Sequence, residues 1–195
     1  MNRRGKIFVI SGPSGSGKTT LAAGLFKDKF LRRKIIRSIS YTTRPKRTQE
    51  KHSRHYFFIS EPDFKLKLKA KKILEWTKYL GYYYATPKEF IEKKLKESKG
   101  IVLCLDLKGA LKIKKLYPKE AVTIFIVPPS VGILKKRIAG RCSKTSAKEI
   151  RGRLMLARKE MACKHKYGYR VVNNDLTKAL DELKGIIHKE ISNNN

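Results

Sequence analysis

Gly12-Pro13-Ser14-Gly15-Ser16-Gly17-Lys18-Thr19 follows the apolar run Ile7-Phe8-Val9-Ile10 and opens into a helix-compatible stretch. Strand, glycine-rich loop and helix in that order are what a phosphate-cradling P-loop requires. The glycines let successive backbone N–H groups turn inward around an anion, Lys18 reaches the outer phosphates, and the Thr19 hydroxyl is a ligand for phosphate-bound Mg²⁺. With Thr20 at its end, the segment 12–20 is the expected ATP-binding stretch. Motors, switches and kinases all use such a loop, so the destination of the phosphoryl group must be read elsewhere.

Outward from the loop, apolar runs rich in β-formers recur at 7–10, 56–59, 101–105, 122–127 and 171–172, separated by helical patterns. Strands alternating with helices predict an α/β fold: a parallel sheet of the P-loop NTPase type, covered by helices on both faces. Helices are expected at 19–30, through 133–138, over 147–166 and at 176–191. The stretch 38–86 breaks the alternation. It is rich in Thr, Arg and Tyr, has short strand-like pieces and no long amphipathic helix, and reads as an inserted lobe. One domain is expected, with a core of about 1–37, 87–139 and 168–195, the lobe at 38–86 and a helical lid at 140–167.

The 195 residues carry 47 Lys+Arg against 16 Asp+Glu, a formal net charge of +31. Such a surface attracts polyanions at low salt. The lysines are nevertheless spread along the chain, as in Lys65-Leu66-Lys67-Leu68-Lys69-Ala70-Lys71-Lys72, and are not interleaved with base-stacking aromatics. Specific nucleic-acid recognition is therefore not expected, while anionic nucleotides benefit from the field. Cys104, Cys142 and Cys163 have neither metal-ligand nor redox spacing, which reads as free thiols in a cytoplasmic protein. No apolar segment is long enough to span a membrane.

Within the lobe, Ser40-Tyr41-Thr42-Thr43-Arg44-Pro45-Lys46-Arg47 sets two guanidinium groups three residues apart, with Tyr56 and Tyr82-Tyr83-Tyr84 further on. Arginine forks and phenolic hydroxyls together suit a monophosphate dianion. Glu75 and Asp106 are expected at strand ends, where α/β proteins bind ligands. A carboxylate only accepts hydrogen bonds, and guanine presents N1–H and its 2-amino group as adjacent donors where adenine has no donor at N1. The carboxylates favour guanine.

These segments, with Leu74-Glu75-Trp76, Gly81-Tyr82-Tyr83-Tyr84-Ala85-Thr86, Leu105-Asp106-Leu107-Lys108-Gly109, Pro128-Pro129-Ser130 and Asn173-Asn174-Asp175-Leu176, together resemble guanylate kinase, in order, from about Lys6 to Leu183. The resemblance implies transfer of the ATP γ-phosphoryl group to GMP or dGMP, with Mg²⁺, by a monomer or homodimer. Position by position it gives Ser40, Glu75, Thr86 and Asp106 to guanine, Arg44, Arg47, Tyr56 and Tyr84 to the GMP phosphate, and Arg137, Arg141 and Arg153 to a lid that closes over the transferring group. Lys18 and Arg44 join these three as the catalytic cations.

The chain departs from that pattern at Cys104, where the family usually has a carboxylate two residues before Asp106, which implies altered Mg²⁺ support. Gln49, Ser53 and His55 stand where the family generally shows Gly, Gly and Asp, and Cys142-Ser143-Lys144-Thr145 replaces the usual lid residues. Two other readings are open to test. A non-catalytic scaffold module typically has a degraded P-loop, whereas Lys18 and Thr19 are present. A sugar-phosphate kinase would have no use for the guanine-facing set.

Overall fold

The computed structural model describes residues 4–140 and 147–193. In chain order its elements are β1 (Ile7–Ser11), α1 (Lys18–Leu25), α2 (Leu31–Lys34), β2 (Ile35–Arg37), β3 (Tyr41–Thr42), β4 (Phe57–Phe58), α3 (Glu61–Lys69), β5 (Ile73–Tyr79), β6 (Tyr82–Pro87), α4 (Lys88–Lys96), β7 (Gly100–Cys104), α5 (Leu107–Leu116), β8 (Ala121–Val127), α6 (Val131–Ala139), α7 (Ala147–Ala162), β9 (Tyr169–Val172) and α8 (Leu176–Ser192).

β2, β7, β1, β8 and β9 lie side by side in that order, all parallel. An apolar strand in such a sheet is buried on both faces, which is why Ile7 to Ile10 is uninterrupted. Alternation sends Phe8 and Ile10 to one side, against Leu21 and Leu25 of α1 and Leu183 and Ile187 of α8. Ile7 and Val9 go to the other, against Ile91 and Leu95 of α4 and Ala110 and Ile113 of α5. The expected α/β architecture is what is observed, a parallel sheet between two helical layers.

The run 56–59 belongs to the stretch 38–86, whose short strands lie outside this sheet. β4, β3, β6 and β5 form a second, mixed sheet in that order. Leu80 and Gly81, with φ of 50° and 89°, make the tight β5–β6 turn, because paired left-handed residues match the twist of the strands they join. Glu75 is within β5, not at a strand end, and follows the register shift between Ile73 and Glu75.

The first helix is shorter than the expected 19–30. It stops at Leu25, and the Asp28 carboxylate then accepts from the N–H groups of Phe30 and Leu31, both at 3.0 Å, to start α2. An aspartate competing for backbone donors in this way favours a new helix start over continuation. α3 is a further helix in the lobe, opened by a capping box in which Ser60 and Asp63 satisfy each other's backbone N–H. Among the described residues no helix is long and apolar enough to cross a membrane.

Candidate active site

At the carboxyl end of β1 the loop 12–17 wraps back on itself, and Lys18 Nζ donates to the carbonyls of Gly12 at 2.6 Å and Pro13 at 3.0 Å. The lysine is thereby held across the mouth of the loop. Thr19 and Thr20 sit exposed in the first turn of α1, whose N-terminal N–H groups favour an anion. Gly17 has φ 99°, and a Cβ there would fall 2.2 Å from Asn173 Nδ2. That amide donates to the Ser16 carbonyl at 2.7 Å, so a residue just after β9 fixes the loop from outside. The Ser16 hydroxyl is buried without a partner, an orphaned polar atom in a cradle that is otherwise all backbone.

In the lobe, a single Arg44 nitrogen, Nη2, donates to both Glu50 oxygens at 2.7 and 2.9 Å while Nη1 donates to the Pro45 carbonyl at 2.7 Å, and the Arg44 and Glu50 side chains are only 11% and 15% exposed. The Arg44 guanidinium also lies over the rings of Tyr56 and Phe58, at 5.6 and 5.8 Å from their centroids. Burial works against the charge on Glu50, but the Arg44 guanidinium and the Arg47 N–H, which donates to it at 2.9 Å, hold its carboxyl below the usual range. Tyr56 packs edge-on against Tyr84 at 5.9 Å, and burial pushes its hydroxyl up. The Arg47 side chain is exposed but still lines the cavity.

The loop departures noted above keep this part of the lobe in shape. Ser53 adopts φ 62° without being glycine, a strained choice worth roughly 1 kcal/mol. His55 Nδ1 accepts the Lys51 N–H at 3.0 Å, the work a carboxylate would do.

At the base end, Glu75 is buried and accepts from the Thr86 hydroxyl, while a Cβ on Gly109 would meet its other oxygen at 2.8 Å. Desolvation, with Asp106 nearby and against the Thr86 bond, raises the Glu75 pKa to about 7. Asp106 follows β7, caps α5 through the Gly109 N–H at 2.9 Å, and lines the cavity with Ser40. Thr86 is fully buried behind Glu75 and does not line it.

The helical side contributes Arg153, which donates to the Ser14 hydroxyl at 3.3 Å, and Glu160, seven residues on and so on the same face of α7. Burial raises the Glu160 pKa to about 7, against the pull of Lys18. Arg137 reaches the Gly15 carbonyl at 3.5 Å from α6 and lies outside the cavity wall. Arg141, with Cys142, is outside the described residues. Cys104 and Cys163 are free thiols.

Lys18, Thr19, Ser40, Arg44, Arg47, Glu50, Tyr56, Glu75, Tyr84, Asp106, Arg153 and Glu160 line one cavity of about 1120 Å³, beyond the roughly 300–1,000 Å³ of a single-ligand pocket. It has room for two nucleotides. Among the described residues no three His, Cys, Asp or Glu side chains gather as a metal cage. The Thr19 hydroxyl beside Lys18, with Asp106 and Glu160 lining the same cavity, offers hard oxygens. That fits Mg²⁺ carried in on a phosphate rather than a resident ion.

Glu50, Asn173 and Glu160 were not among the residues expected from sequence. The signal for Glu50 was available, since it is the one acidic residue in the basic run 44–55.

The family model described as guanylate kinase matches residues 4–190. The guanylate kinase of Caldanaerobacter subterraneus subsp. tengcongensis is 42% identical over 191 residues, 97% of this chain and 90% of that protein. That of Wolbachia pipientis wMel is 38% identical over 186 residues, 95% and 90% of the two chains. In three dimensions the chain is similar to the crystal structure of guanylate kinase from Anaplasma phagocytophilum, with TM-score 0.79 and 28% identity over 96% of this chain and 87% of that one.

Proposed function

This chain belongs to the guanylate kinase family and catalyses ATP-dependent phosphorylation of GMP to GDP, and from that premise we propose how its residues divide the reaction between a donor and an acceptor half. In the donor half the backbone of 12–19 and Lys18 hold the ATP phosphates, and Thr19 holds Mg²⁺. Bound there, Mg²⁺ would supply positive charge to offset that of the phosphates. In the acceptor half Arg44, Arg47, Tyr56 and Tyr84 hold the phosphate of GMP or dGMP. Glu75, Asp106 and Ser40 accept and orient the guanine edge, and Thr86 positions Glu75. Arg153, with Arg137 and Arg141 from the lid side, stabilises the equatorial charge and excludes competing water on closure. ATP chemistry and the free thiols suit a cytoplasmic setting.

The observation that carries this reading is that Lys18 and Thr19 line the same cavity as Arg44, Tyr56 and Glu75. Its test is a coupled ADP-release assay comparing GMP, dGMP, AMP, UMP and no acceptor. GMP should be fastest. AMP or UMP outpacing it would overturn the assignment.

Glu75 gives that assay a pH signature. Its folded pKa of about 7 lies above the ordinary 4.5, so the protonated form favours the empty fold. That contribution is complete below 4.5 and lost as pH rises to about 7. Guanine needs the ionised form, so GMP binding releases a proton below neutrality. KM for GMP should fall by about tenfold between roughly pH 6 and pH 8, with calorimetry in two buffers counting the proton. Glu75→Gln should flatten this profile and narrow the preference over AMP.

Gly109→Ala tests the same carboxylate sterically. The added Cβ would crowd Glu75 Oε2 at 2.8 Å while Thr86 holds the other oxygen. KM for GMP is expected to rise by about tenfold, equivalent to one misplaced hydrogen bond, with KM for ATP unchanged.

A further inference from the structure

We propose that the Arg37 guanidinium contacts the transferring phosphoryl group, as a cation between the donor and acceptor halves. The inference rests on the kinase reading above and deepens it by adding a residue to the reacting centre. Arg37 ends β2, Cys104 ends β7, and the phosphate loop leaves the end of β1, and these three strands are adjacent in the order β2-β7-β1. Neighbouring strands are about 4.8 Å apart, and the register sets Arg37 level with Val102 and Phe8, two residues short of Cys104 and three short of the β1 end at Ser11, a step its long side chain covers to line the cavity.

Register decides which way Arg37 points. It pairs with Val102, and Ile35, Val102 and Cys104 all belong to the face packed by α1. Alternation puts Arg37 on that face too, the side on which Lys18 and Thr19 begin α1. Its side chain lines the same cavity as Lys18, Thr19 and Arg44. It is half-buried at the edge of the sheet.

Charge decides what Arg37 is for. Arg44 is neutralised by Glu50, but among the described residues Arg37 forms no ion pair with a carboxylate. The group between it and Lys18 is the Cys104 thiol, which burial keeps protonated against the pull of both cations. A neutral spacer leaves Arg37 its whole charge. An arginine held in a cavity without a counter-ion is matched by an anion with oxygens for its fork, and a phosphoryl group is such an anion. Charge on the equatorial oxygens grows during transfer, so a contact made there acts on kcat more than on binding.

The experiment compares Arg37→Met, Arg37→Gln and Arg37→Lys with the parent enzyme, varying GMP and ATP separately. Loss of one positioned cation should lower kcat by about tenfold to 100-fold in the Met and Gln variants, with KM for GMP within about threefold and most of kcat recovered in Lys. Calorimetry supplies a second readout. Affinity for ADP, Mg²⁺ and aluminium fluoride with GMP, a mimic of the transferring state, should fall by about the same factor as kcat, while affinity for GMP alone holds. A kcat within about twofold of the parent in Met or Gln, or an equal loss in binding GMP alone, overturns the proposal. A parent enzyme that prefers AMP or UMP overturns the underlying reading instead, whatever the variants do.

Discussion

Lys18→Ala is expected to lower kcat by about 10³-fold, the scale on which a single positioned cation acts in phosphoryl transfer. Lys18 already spans the mouth of the loop through the Gly12 and Pro13 carbonyls. The ammonium is therefore placed before the nucleotide arrives, and little ordering remains to oppose its use. Because its charge matters most to the outer phosphates, the loss should fall on kcat, with ADP binding weakened far less. The fold should tolerate the change, since water can satisfy the Gly12 and Pro13 carbonyls that the ammonium leaves. Steady-state kinetics with calorimetric ADP binding separates the two effects. A Lys18→Ala enzyme within about tenfold of the parent kcat would remove Lys18 from the chemistry.

Arg44→Ala should raise KM for GMP by roughly 100-fold, the worth of a charge-assisted two-pronged contact of about 3 kcal/mol. It should also cost stability, because Glu50 is nearly buried and would lose its main partner. An unpaired carboxylate in that position costs roughly 1–3 kcal/mol, or a Tm lower by about 2–4 °C for each kcal/mol in a chain of this size. The double variant Arg44→Ala with Glu50→Gln separates the two roles. It should recover most of the Tm and none of the GMP affinity. Recovery of both would make Arg44 a structural residue, and recovery of neither would discount the Glu50 pair.

Legibility from sequence follows the range over which each feature is determined. β1, β7 and β8 were legible because strands buried on both faces have to be continuously apolar. β2 was not, since an edge strand of three residues ending in Arg37 carries no such run. α3 was hidden by its own side chains. Its Lys–Leu alternation has a period of two, and Leu66 and Leu68 are 66% and 37% exposed, leaving only Phe64 to mark the buried face. The Ser60–Asp63 capping box was the better signal.

At the site, Lys18, Arg44, Tyr56 and Glu75 could be found because residue type and local spacing already state their chemistry. Glu160 could not be assigned in the same way, because its role comes from the residues folding sets against it. Thr86 shows the converse limit. Its position in the motif fitted a base contact, while its full burial leaves it holding Glu75.

The Asn173 bond to Ser16 joins residues 157 positions apart. Because synthesis runs from the amino end, the amide that fixes the glycine-rich loop is made well after the loop itself. β1 likewise waits for β7 and β8 on its two sides. An emerging chain therefore carries the ATP loop as an unfinished segment until β7, β8 and Asn173 have followed it. The loop is written well before the contacts that make it competent.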